Sequence, residues 1–247
     1  MRIAVLYDIH GNLPALDAVL AEAQQAGVER ILVGGDVVPG PLPRETLARL
    51  LALPLPVDFL QGNGDRAVLE AMQGRDTGAL PASAREAVRW VAGQFGPREM
   101  QIIASWPKTL RLAVPEAGEV LFCHATPRSD TEIFTRLTPE ERVQPAFAGV
   151  GAATVVCGHT HMQFDRTVGG VRIVNAGSVG MPFGPPGACW LLLGPRLEHR
   201  RTAYDFAAAA ACVRATAYPQ AEDFAEHAIL RPRSEEEMLA TFAKVAI

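Results

Sequence analysis

The sequence has few lysines, no excess of positive charge and no long hydrophobic run. Lys108 and Lys244 are the only lysines, and the formal net charge of the 247 residues is −4 at pH 7. A protein that holds nucleic acid through its phosphates needs a basic surface, so we expect no stable nucleic-acid binding. No apolar stretch approaches the roughly 20 residues that span a bilayer, so we expect no membrane association.

Closely spaced cysteine pairs are also missing, and we expect no export signal. The cysteines are far apart in the sequence, at Cys123, Cys157, Cys189 and Cys212. This spacing excludes a zinc knot and does not favour a disulfide framework, so we expect reduced thiols and a cytoplasmic location. Hydrophobic residues make up 49% of the chain and charged residues 20%, which excludes disordered and fibrous classes. The sequence carries no indication of an oligomeric state.

The N-terminal half alternates short apolar runs with helical patterns. Residues 2–7 predict a strand that is buried on both faces, and apolar residues recur at helical spacing from Leu13 until Gly27 ends the pattern. Further strands are predicted at 31–33 and 57–60, and further helices at 44–52, 66–72, 82–94 and 97–104. Strands that alternate with helices are typical of an α/β sheet.

From about residue 108 the pattern changes to strands, which we expect to be mostly antiparallel. They are predicted at 108–114, 119–123, 153–157, 171–174, 188–193 and 197–203. Gly169-Gly170 and the turn at Pro195 predict hairpins. Beyond residue 203 an Ala-rich stretch and the segment 234–244 predict helices, whose default position is over a sheet face. We expect one domain over 1–247, with a core at 1–203 and a helical C-terminal extension at 204–247.

Seven side chains of types that bind metal ions stand where apolar runs end. They are Asp8, His10, Asp36, Asn63, His124, His159 and His161. In open α/β sheets ligands gather outside the carboxyl ends of the strands, so we expect these side chains to converge on one rim. Residues two apart in a strand point the same way, which predicts that Asp8 and His10 face one ion together. The pair His159 and His161 follows the same rule.

Carboxylate, amide and imidazole groups together suit a divalent ion such as manganese, iron or zinc better than calcium or magnesium. The arrangement of all seven ligands is what a two-metal site requires, so we expect two divalent transition-metal ions, manganese first, with iron, zinc or nickel as alternatives. Two cations about 3.5–4 Å apart can activate a water molecule and clamp phosphoryl oxygens. We therefore predict a phosphoesterase in which a metal-bridging hydroxide attacks phosphorus in line. Asp36 and Asn63 are the predicted catalytic residues, and Asn12 and Arg128 are the predicted contacts to a small or flexible phosphoester substrate.

The order of these residues resembles the signature blocks of the calcineurin-like metallophosphoesterase family. The blocks are Asp8-Ile9-His10-Gly11-Asn12, Gly35-Asp36, Gly62-Asn63-Gly64-Asp65, Cys123-His124 and Gly158-His159-Thr160-His161, followed by Asn175-Ala176-Gly177-Ser178-Val179-Gly180. The resemblance covers about residues 1–203. It implies an α/β (α+β) fold, a four-layer αββα sandwich of two facing mixed sheets with a binuclear metal site at the strand ends.

The resemblance also implies how the ligands are shared between the two ions. The first ion would be held by Asp8, His10 and His161. The second ion would be held by Asn63, His124 and His159. Asp36 would bridge the two ions.

One position departs from the family pattern. Strong phosphomonoesterases of the family usually carry a histidine where this chain has Gly64, and that histidine assists the leaving oxygen. Asp65, which would normally orient it, is expected to order a water molecule or Arg66 instead. Without a proton donor, leaving groups that depart as stable anions are favoured, so we expect phosphodiesters or activated esters as substrates. His199 and His227 are the possible substitute donors.

Two other functions remain open at this point. A non-catalytic scaffold or binding module could keep the fold, although such proteins usually show eroded ligands and this chain keeps all seven. A protein phosphatase or a dinucleoside-polyphosphate hydrolase would share the metal site but usually carries the histidine that is missing at Gly64.

Overall fold

The computed structural model describes residues 1–75, 80–115 and 118–247. Two five-stranded sheets in this part of the chain pack face to face. The strands are β1 (Ile3–Leu6), β2 (Arg30–Val33), β3 (Val57–Phe59), β4 (Thr109–Val114), β5 (Gly118–Cys123), β6 (Thr154–Cys157), β7 (Gln163–Val168), β8 (Val171–Ala176), β9 (Ala188–Leu193) and β10 (Leu197–Thr202). The helices are α1 (Leu13–Gln25), α2 (Pro43–Leu51), α3 (Asn63–Met72), α4 (Ala82–Ala92), α5 (Pro97–Ala104), α6 (Glu140–Phe147), α7 (Phe206–Arg214), α8 (Ala221–Phe224) and α9 (Glu235–Phe242), with a π-helical turn at Ala225–Leu230.

Both sheets are mixed, as predicted. The first has the strand order β10-β9-β1-β2-β3, in which β1, β2 and β3 are parallel. The second has the order β4-β5-β6-β8-β7, and its centre, β5, β6 and β8, is also parallel. The expectation that the C-terminal strands are mostly antiparallel is therefore wrong for this sheet. A crossover through α6 joins β5 to β6, and such a crossover permits parallel pairing.

The strands are buried on both faces because helices cover the outside of each sheet. Along β1, Ile3 and Val5 face the core between the sheets, whereas Ala4 and Leu6 face the core under α1 and α2. A third core lies between the second sheet and α6. These layers give the predicted αββα sandwich.

Helix α6 is the clearest element that the sequence did not reveal. It carries Pro145 in its interior, and its buried side chains are Val143, Ala146 and Phe147. A proline removes a helical hydrogen bond, and three apolar residues in eight give a weak helical period. The burial of those residues against the second sheet stabilises the helix instead.

Most of the C-terminal extension packs on itself rather than over a sheet face, contrary to the default expectation. Helices α7 and α8 and the π-helical turn share a small core, which includes Val213, Phe224 and Ile229. The chain end differs, since Ile247 packs against the core under α6. The extension is joined to α4, where Tyr218 packs edge-on against Trp90 with ring centroids 5.4 Å apart. The amide of Gln220 also donates a hydrogen bond to the Ser83 carbonyl group at 2.9 Å. The extension therefore lies beside the edge of the sandwich that holds the predicted ligands.

Two further expectations concern membranes and thiols. Among the described residues, no helix combines the length and the apolar character needed to cross a bilayer. All four cysteines are unpaired, and Cys123 and Cys157 are buried in the core as predicted.

Candidate metal centre

The seven predicted ligands lie in loops at the carboxyl ends of five strands. Asp8 and His10 follow β1, Asp36 follows β2, Asn63 follows β3, His124 follows β5, and His159 and His161 follow β6. Because β1, β2 and β3 run parallel in one sheet and β5 and β6 run parallel in the other, these ends meet at one edge of the sandwich. The structure therefore brings together all seven side chains.

Most of these side chains are aimed by an unusual backbone conformation. The φ angles are +53° at Asp8, +50° at His10, +51° at Asp36, +65° at His159 and +57° at His161, and no other non-glycine residue in the described ranges has a positive φ. Such angles cost about 1–3 kcal/mol each and cluster at functional sites. We predicted that Asp8 and His10, and likewise His159 and His161, point the same way because residues two apart in a strand do. That explanation is wrong. Both pairs lie beyond their strands, and left-handed turns aim them.

The first group of donors consists of Asp8, His10 and His161. Nε2 of His10 and Nε2 of His161 are 3.3 Å apart, and Asp8 Oδ1 lies 3.4 Å from His161 Nε2. The Asp8 side chain is completely buried, and its Oδ1 has no hydrogen-bond partner. A buried carboxylate oxygen without a donor is costly unless a cation satisfies it. This atom therefore fits a metal ligand.

Backbone carbonyl groups set the tautomer of three imidazoles. The pairs of Nδ1 and carbonyl oxygen are His10 with Pro39 at 3.0 Å, His124 with Gly34 at 3.0 Å and His161 with Met181 at 2.8 Å. Because a carbonyl oxygen only accepts, each Nδ1 carries the proton and each Nε2 presents a lone pair to the centre. A second nitrogen held in this way is typical of metal-binding histidines.

The second group consists of Asn63, His124 and His159. The Asn63 Oδ1 atom is 3.0 Å from His124 Nε2 and 3.0 Å from His159 Nδ1. In this orientation an amide oxygen faces the lone pair of His124, which suits a cation between them. With the amide turned over, its Nδ2 would donate to both rings instead. The three side chains thus fit a shared cation, and hydrogen bonds can hold them in place without one.

Asp36 lies between the two groups. Its Oδ2 is 3.7 Å from His10 Nε2, and its Oδ1 is 3.7 Å from His124 Nε2. The Gly64 amide donates a hydrogen bond of 2.7 Å to Oδ1 and holds the carboxylate in this orientation. One oxygen therefore faces each group, which is the geometry of a bridging ligand.

The charges within the cluster shift the pKa values of its members. Burial raises the pKa of Asp8, but His161 and the neighbouring imidazoles outweigh it and hold the pKa well below its usual range. Burial lowers the pKa of His161, but Asp8 more than offsets this, so the pKa is raised. Burial, together with His124, lowers the pKa of His159 to about 4. The ring of His159 is therefore neutral at pH 7, as metal binding requires.

Asp65 has a role that the sequence did not reveal. It is buried, and its carboxylate accepts hydrogen bonds from the backbone amides of Val37, Val38 and Gly62 at 2.9, 3.1 and 3.1 Å. Burial and the negative Asp36 raise the pKa of Asp65 to about 7, against the amides that donate to it. Asp65 therefore ties the loop that carries Asp36 to the loop that carries Asn63. The expectation that it orders Arg66 is wrong.

The structure explains why position 64 is a glycine. Helix α3 begins at Asn63, three residues earlier than predicted, so Gly64 lies in its first turn. A Cβ atom at Gly64 would lie 2.7 Å from Pro39 Cγ and 3.0 Å from both carboxylate oxygens of Asp36. A side chain here would press on the candidate bridging ligand, so a leaving-group histidine would require Pro39 and Asp36 to shift.

The two predicted substrate contacts have different surroundings. Asn12 is completely buried, where Oδ1 caps α1 and Nδ2 donates to the Gly180 carbonyl group at 3.0 Å. All its polar atoms are used within the fold, so the structure does not bring it to the opening. Arg128 is half exposed and paired with Glu132. It lines a cavity of about 160 Å³ that reaches His124.

The side chain of Arg66, the residue after Asp65, is paired with carboxylates outside the centre. Its guanidinium donates to Asp130 at 2.6 Å and lies 3.4 Å from Glu70. The ion pair orients its side chain toward carboxylates of the protein rather than toward a substrate phosphate.

Two residues of the 175–180 segment support the loops that carry the ligands. Asn175 donates hydrogen bonds to the Gly158 carbonyl group and to Thr160 Oγ1, at 2.6 and 3.1 Å. The Ser178 hydroxyl donates to the Asp8 carbonyl group at 2.7 Å. The sequence motif marked this segment but not its function, because these contacts join residues up to 170 positions apart.

The two-sheet fold and the carboxylate and imidazole donors gathered at its edge define the protein as an αββα sandwich with a candidate metal centre. The sequence profile of the calcineurin-like phosphoesterase superfamily domain matches residues 1–194, and the chain belongs to that family. This confirms the family that the motifs resemble.

Relatives with known sequences or structures are similar to this chain over most of its length. Uncharacterized protein MJ0912 of Methanocaldococcus jannaschii is 29% identical over 185 residues, which are 72% of this chain and 69% of the relative. A metallophosphoesterase from Sphaerobacter thermophilus superposes with a TM-score of 0.68 at 27% identity, covering 91% of this chain and 96% of the other. Hypothetical protein PH1004 from Pyrococcus horikoshii OT3 shares the fold, with a TM-score of 0.78 at 19% identity over 94% of this chain and 99% of the other.

Proposed function

We propose that the protein is a hydrolase of phosphodiesters or activated phosphoesters that uses two divalent transition-metal ions, manganese first. The observation that carries this proposal is the buried Asp8 Oδ1, which has no hydrogen-bond partner and lies 3.4 Å from His161 Nε2. Iron, zinc and nickel suit the same donor set. We also propose that residues 1–247 act as one domain in the cytoplasm on a small or flexible substrate.

The distances support the division of the donors between two ions. Asp8, His10 and His161 offer donor atoms that all lie within 4.8 Å of one another, and so do Asp8, Asp36 and His124, so Asp8 lies near both sets. Asn63, His124 and His159 form the second set around Asn63 Oδ1. Asp36 contributes one oxygen to each set.

The protein supplies fixed groups around the reacting phosphate. When bound, two such cations would generate the nucleophile from water and stabilise charge on the phosphoryl oxygens. His10, Asn63, His159 and His161 are partly exposed, whereas Asp8 and the other candidate ligands are buried, so the substrate approaches from the exposed side. Because the left-handed loops and the hydrogen bonds that Nδ1 donates to backbone carbonyl groups fix the ligands beforehand, little reorganisation is needed during the reaction.

The surroundings of Gly64 support a preference for good leaving groups. No side chain at this position can donate a proton, and Pro39 and Asp36 occupy the space that a histidine would need. His199 lies in β10, with its ring hydrogen-bonded to the Asn175 carbonyl group, and is not at the centre. His227 lines a cavity beside His10 and is the remaining candidate donor.

The alternatives are less well supported. A scaffold would not need five strained backbone positions in its candidate ligands. The net charge of −4 does not favour nucleic acid as a stable partner. A protein phosphatase or dinucleoside-polyphosphate hydrolase has no specific contact in this structure that favours it.

Hydrolysis of bis-p-nitrophenyl phosphate and p-nitrophenyl phosphate, with and without manganese, tests the proposal. We expect manganese-stimulated activity that is higher on the diester and is lost in Asp36→Ala. Asp17→Ala, a change in a surface ion pair with Arg49, is the matched control and should behave like the wild type. No hydrolysis with manganese, iron, nickel or zinc would favour the scaffold. Full activity in Asp36→Ala with normal metal content would refute the bridging role.

A further inference from the structure

A cavity of about 330 Å³ opens beside the candidate metal centre. We call it the C-terminal pocket, and the residues that define it are His10, Pro39, Phe183, Tyr218, Phe224 and His227. His10 belongs to both the pocket and the first donor group, and Phe183 stacks on His161 with ring centroids 5.4 Å apart. The pocket is therefore continuous with the metal centre, and a phosphate held there would place one of its substituents in the pocket.

The wall opposite His10 is largely apolar. Tyr218, Phe224 and Met238 come from the C-terminal extension, and Val88 comes from α4. Pockets for small molecules have volumes of about 300–1,000 Å³, with apolar walls and few polar groups. The C-terminal pocket is at the lower end of this range, so it accommodates one ring-sized group and not a folded protein.

Two polar side chains stand at the rim of the pocket. His227 Nδ1 lies 2.9 Å from Asp223 Oδ1, and in the described part of the chain its Nε2 has no hydrogen-bond partner. Arg233 is exposed, and its charge interacts with the nearby Glu237 carboxylate. A cation at the rim of a pocket beside a phosphate site suits an anionic ligand.

The backbone around His227 is also unusual. Ala225–Leu230 forms a π-helical turn directly after α8. Such turns are rare and are frequent at functional sites. The segment that precedes this turn is fixed to α4 by two contacts. Gln220 donates a hydrogen bond to the Ser83 carbonyl group, and Tyr218 packs against Trp90. A rare turn that presents a polar side chain to a pocket next to a phosphate site is a second indication of ligand binding.

We propose that the C-terminal pocket binds an aromatic or bulky apolar substituent of the phosphoester, and that the C-terminal extension thereby determines substrate specificity. The natural substrates are then small phosphoesters that carry one such group. This inference rests on the proposed function, since the phosphate of the same molecule occupies the metal centre.

Binding of two phosphonates, which are not hydrolysed, tests this inference. We expect phenylphosphonate to bind the manganese-loaded wild type at least about tenfold more tightly than methylphosphonate, measured by calorimetry. Ala84 lines the pocket on α4 and is half buried. Ala84→Trp fills the pocket. The variant should therefore bind phenylphosphonate and methylphosphonate with about equal affinity, and its affinity for methylphosphonate should match that of the wild type. Ala84→Leu, a smaller change, should give an intermediate preference.

Ala82→Trp is the matched control, because Ala82 is exposed on the same helix and does not line the pocket. It should keep the wild-type preference. Equal affinity of the two phosphonates in the wild type, or a preference that survives Ala84→Trp, would overturn the inference. A concentration-dependent dimer that Ala84→Trp abolishes would also overturn it, since a second copy would then occupy the pocket. Wild-type hydrolysis of bis-p-nitrophenyl phosphate tests the proposed function separately, so the two failures are distinguishable.

Discussion

Replacement of Asp65 should show how much the metal centre depends on a residue outside the predicted ligand set. In Asp65→Ala, the backbone amides of Val37, Val38 and Gly62 lose their acceptor in a buried environment. An unpaired buried donor costs about 1–3 kcal/mol. Because two of the three amides share one oxygen, we expect a loss of about 3–6 kcal/mol in the free energy of unfolding, within the 5–15 kcal/mol typical of a domain.

A more conservative change should cost less. In Asp65→Asn, Oδ1 can still accept from Val37 and Val38, but the amide group would face the Gly62 N–H donor. One lost hydrogen bond corresponds to about 1–3 kcal/mol. Asp58→Ala is the control, because Asp58 forms a partly exposed ion pair with Arg30. Such pairs contribute about 0–1 kcal/mol.

Urea unfolding in the presence of a chelator measures these free energies without any contribution from metal. Calorimetric titration with manganese is the second assay. Since Asp65 joins the loops that carry Asp36 and Asn63, Asp65→Ala should weaken manganese binding about 10- to 100-fold, whereas Asp58→Ala should not. The reasoning is refuted if Asp65→Ala is no less stable than Asp58→Ala, or if its manganese affinity equals that of the wild type.

Three further substitutions test individual parts of the site. Asp8→Asn should abolish the manganese-dependent rise in Tm. In the wild type, manganese at 100 times its Kd should stabilise the folded state by about 2.7 kcal/mol. A rise in the variant equal to that of the wild type would contradict the ligand role of Asp8. Gly64→His alone should not increase phosphate release from an alkyl phosphomonoester, because its Cβ would lie 2.7 Å from Pro39 Cγ. Combined with Pro39→Ala it should increase the rate, up to about a hundredfold, and a gain from the single variant would show that the crowding is unimportant. His227→Gln should lower kcat more for alkyl than for nitrophenyl leaving groups, and an equal effect on both would exclude proton donation to the leaving oxygen.

The sequence was sufficient for the positions of nearly all the strands along the chain and for the set of candidate ligands. Short apolar runs such as 2–7 are visible without a structure, because a strand buried on both faces needs an apolar residue at nearly every position. The same runs point to the ligands, since polar residues that directly follow buried strands meet at one sheet edge. The hairpin at Gly169-Gly170 was equally clear from its turn residues.

Other features depended on contacts between distant segments. The pairing of β5 with β6 and the position of α6 follow from packing on the second sheet, which no local pattern encodes. The buried position of Asn12 was also hidden, because its motif fits a substrate contact as well as a helix cap. The C-terminal pocket was missed for the same reason, since its walls come from segments with no motif of their own.

The sequence by itself determined which groups are available for metal chemistry and on which strand ends they stand, because residue type and apolar periodicity are local properties. The tertiary structure decided how they are aimed, through the left-handed turns at Asp8, His10, Asp36, His159 and His161 and the carbonyl groups that hold three imidazoles. It also placed the C-terminal extension beside the centre. These features depend on tertiary packing, which offsets the cost of the strained turns and joins segments far apart in the chain.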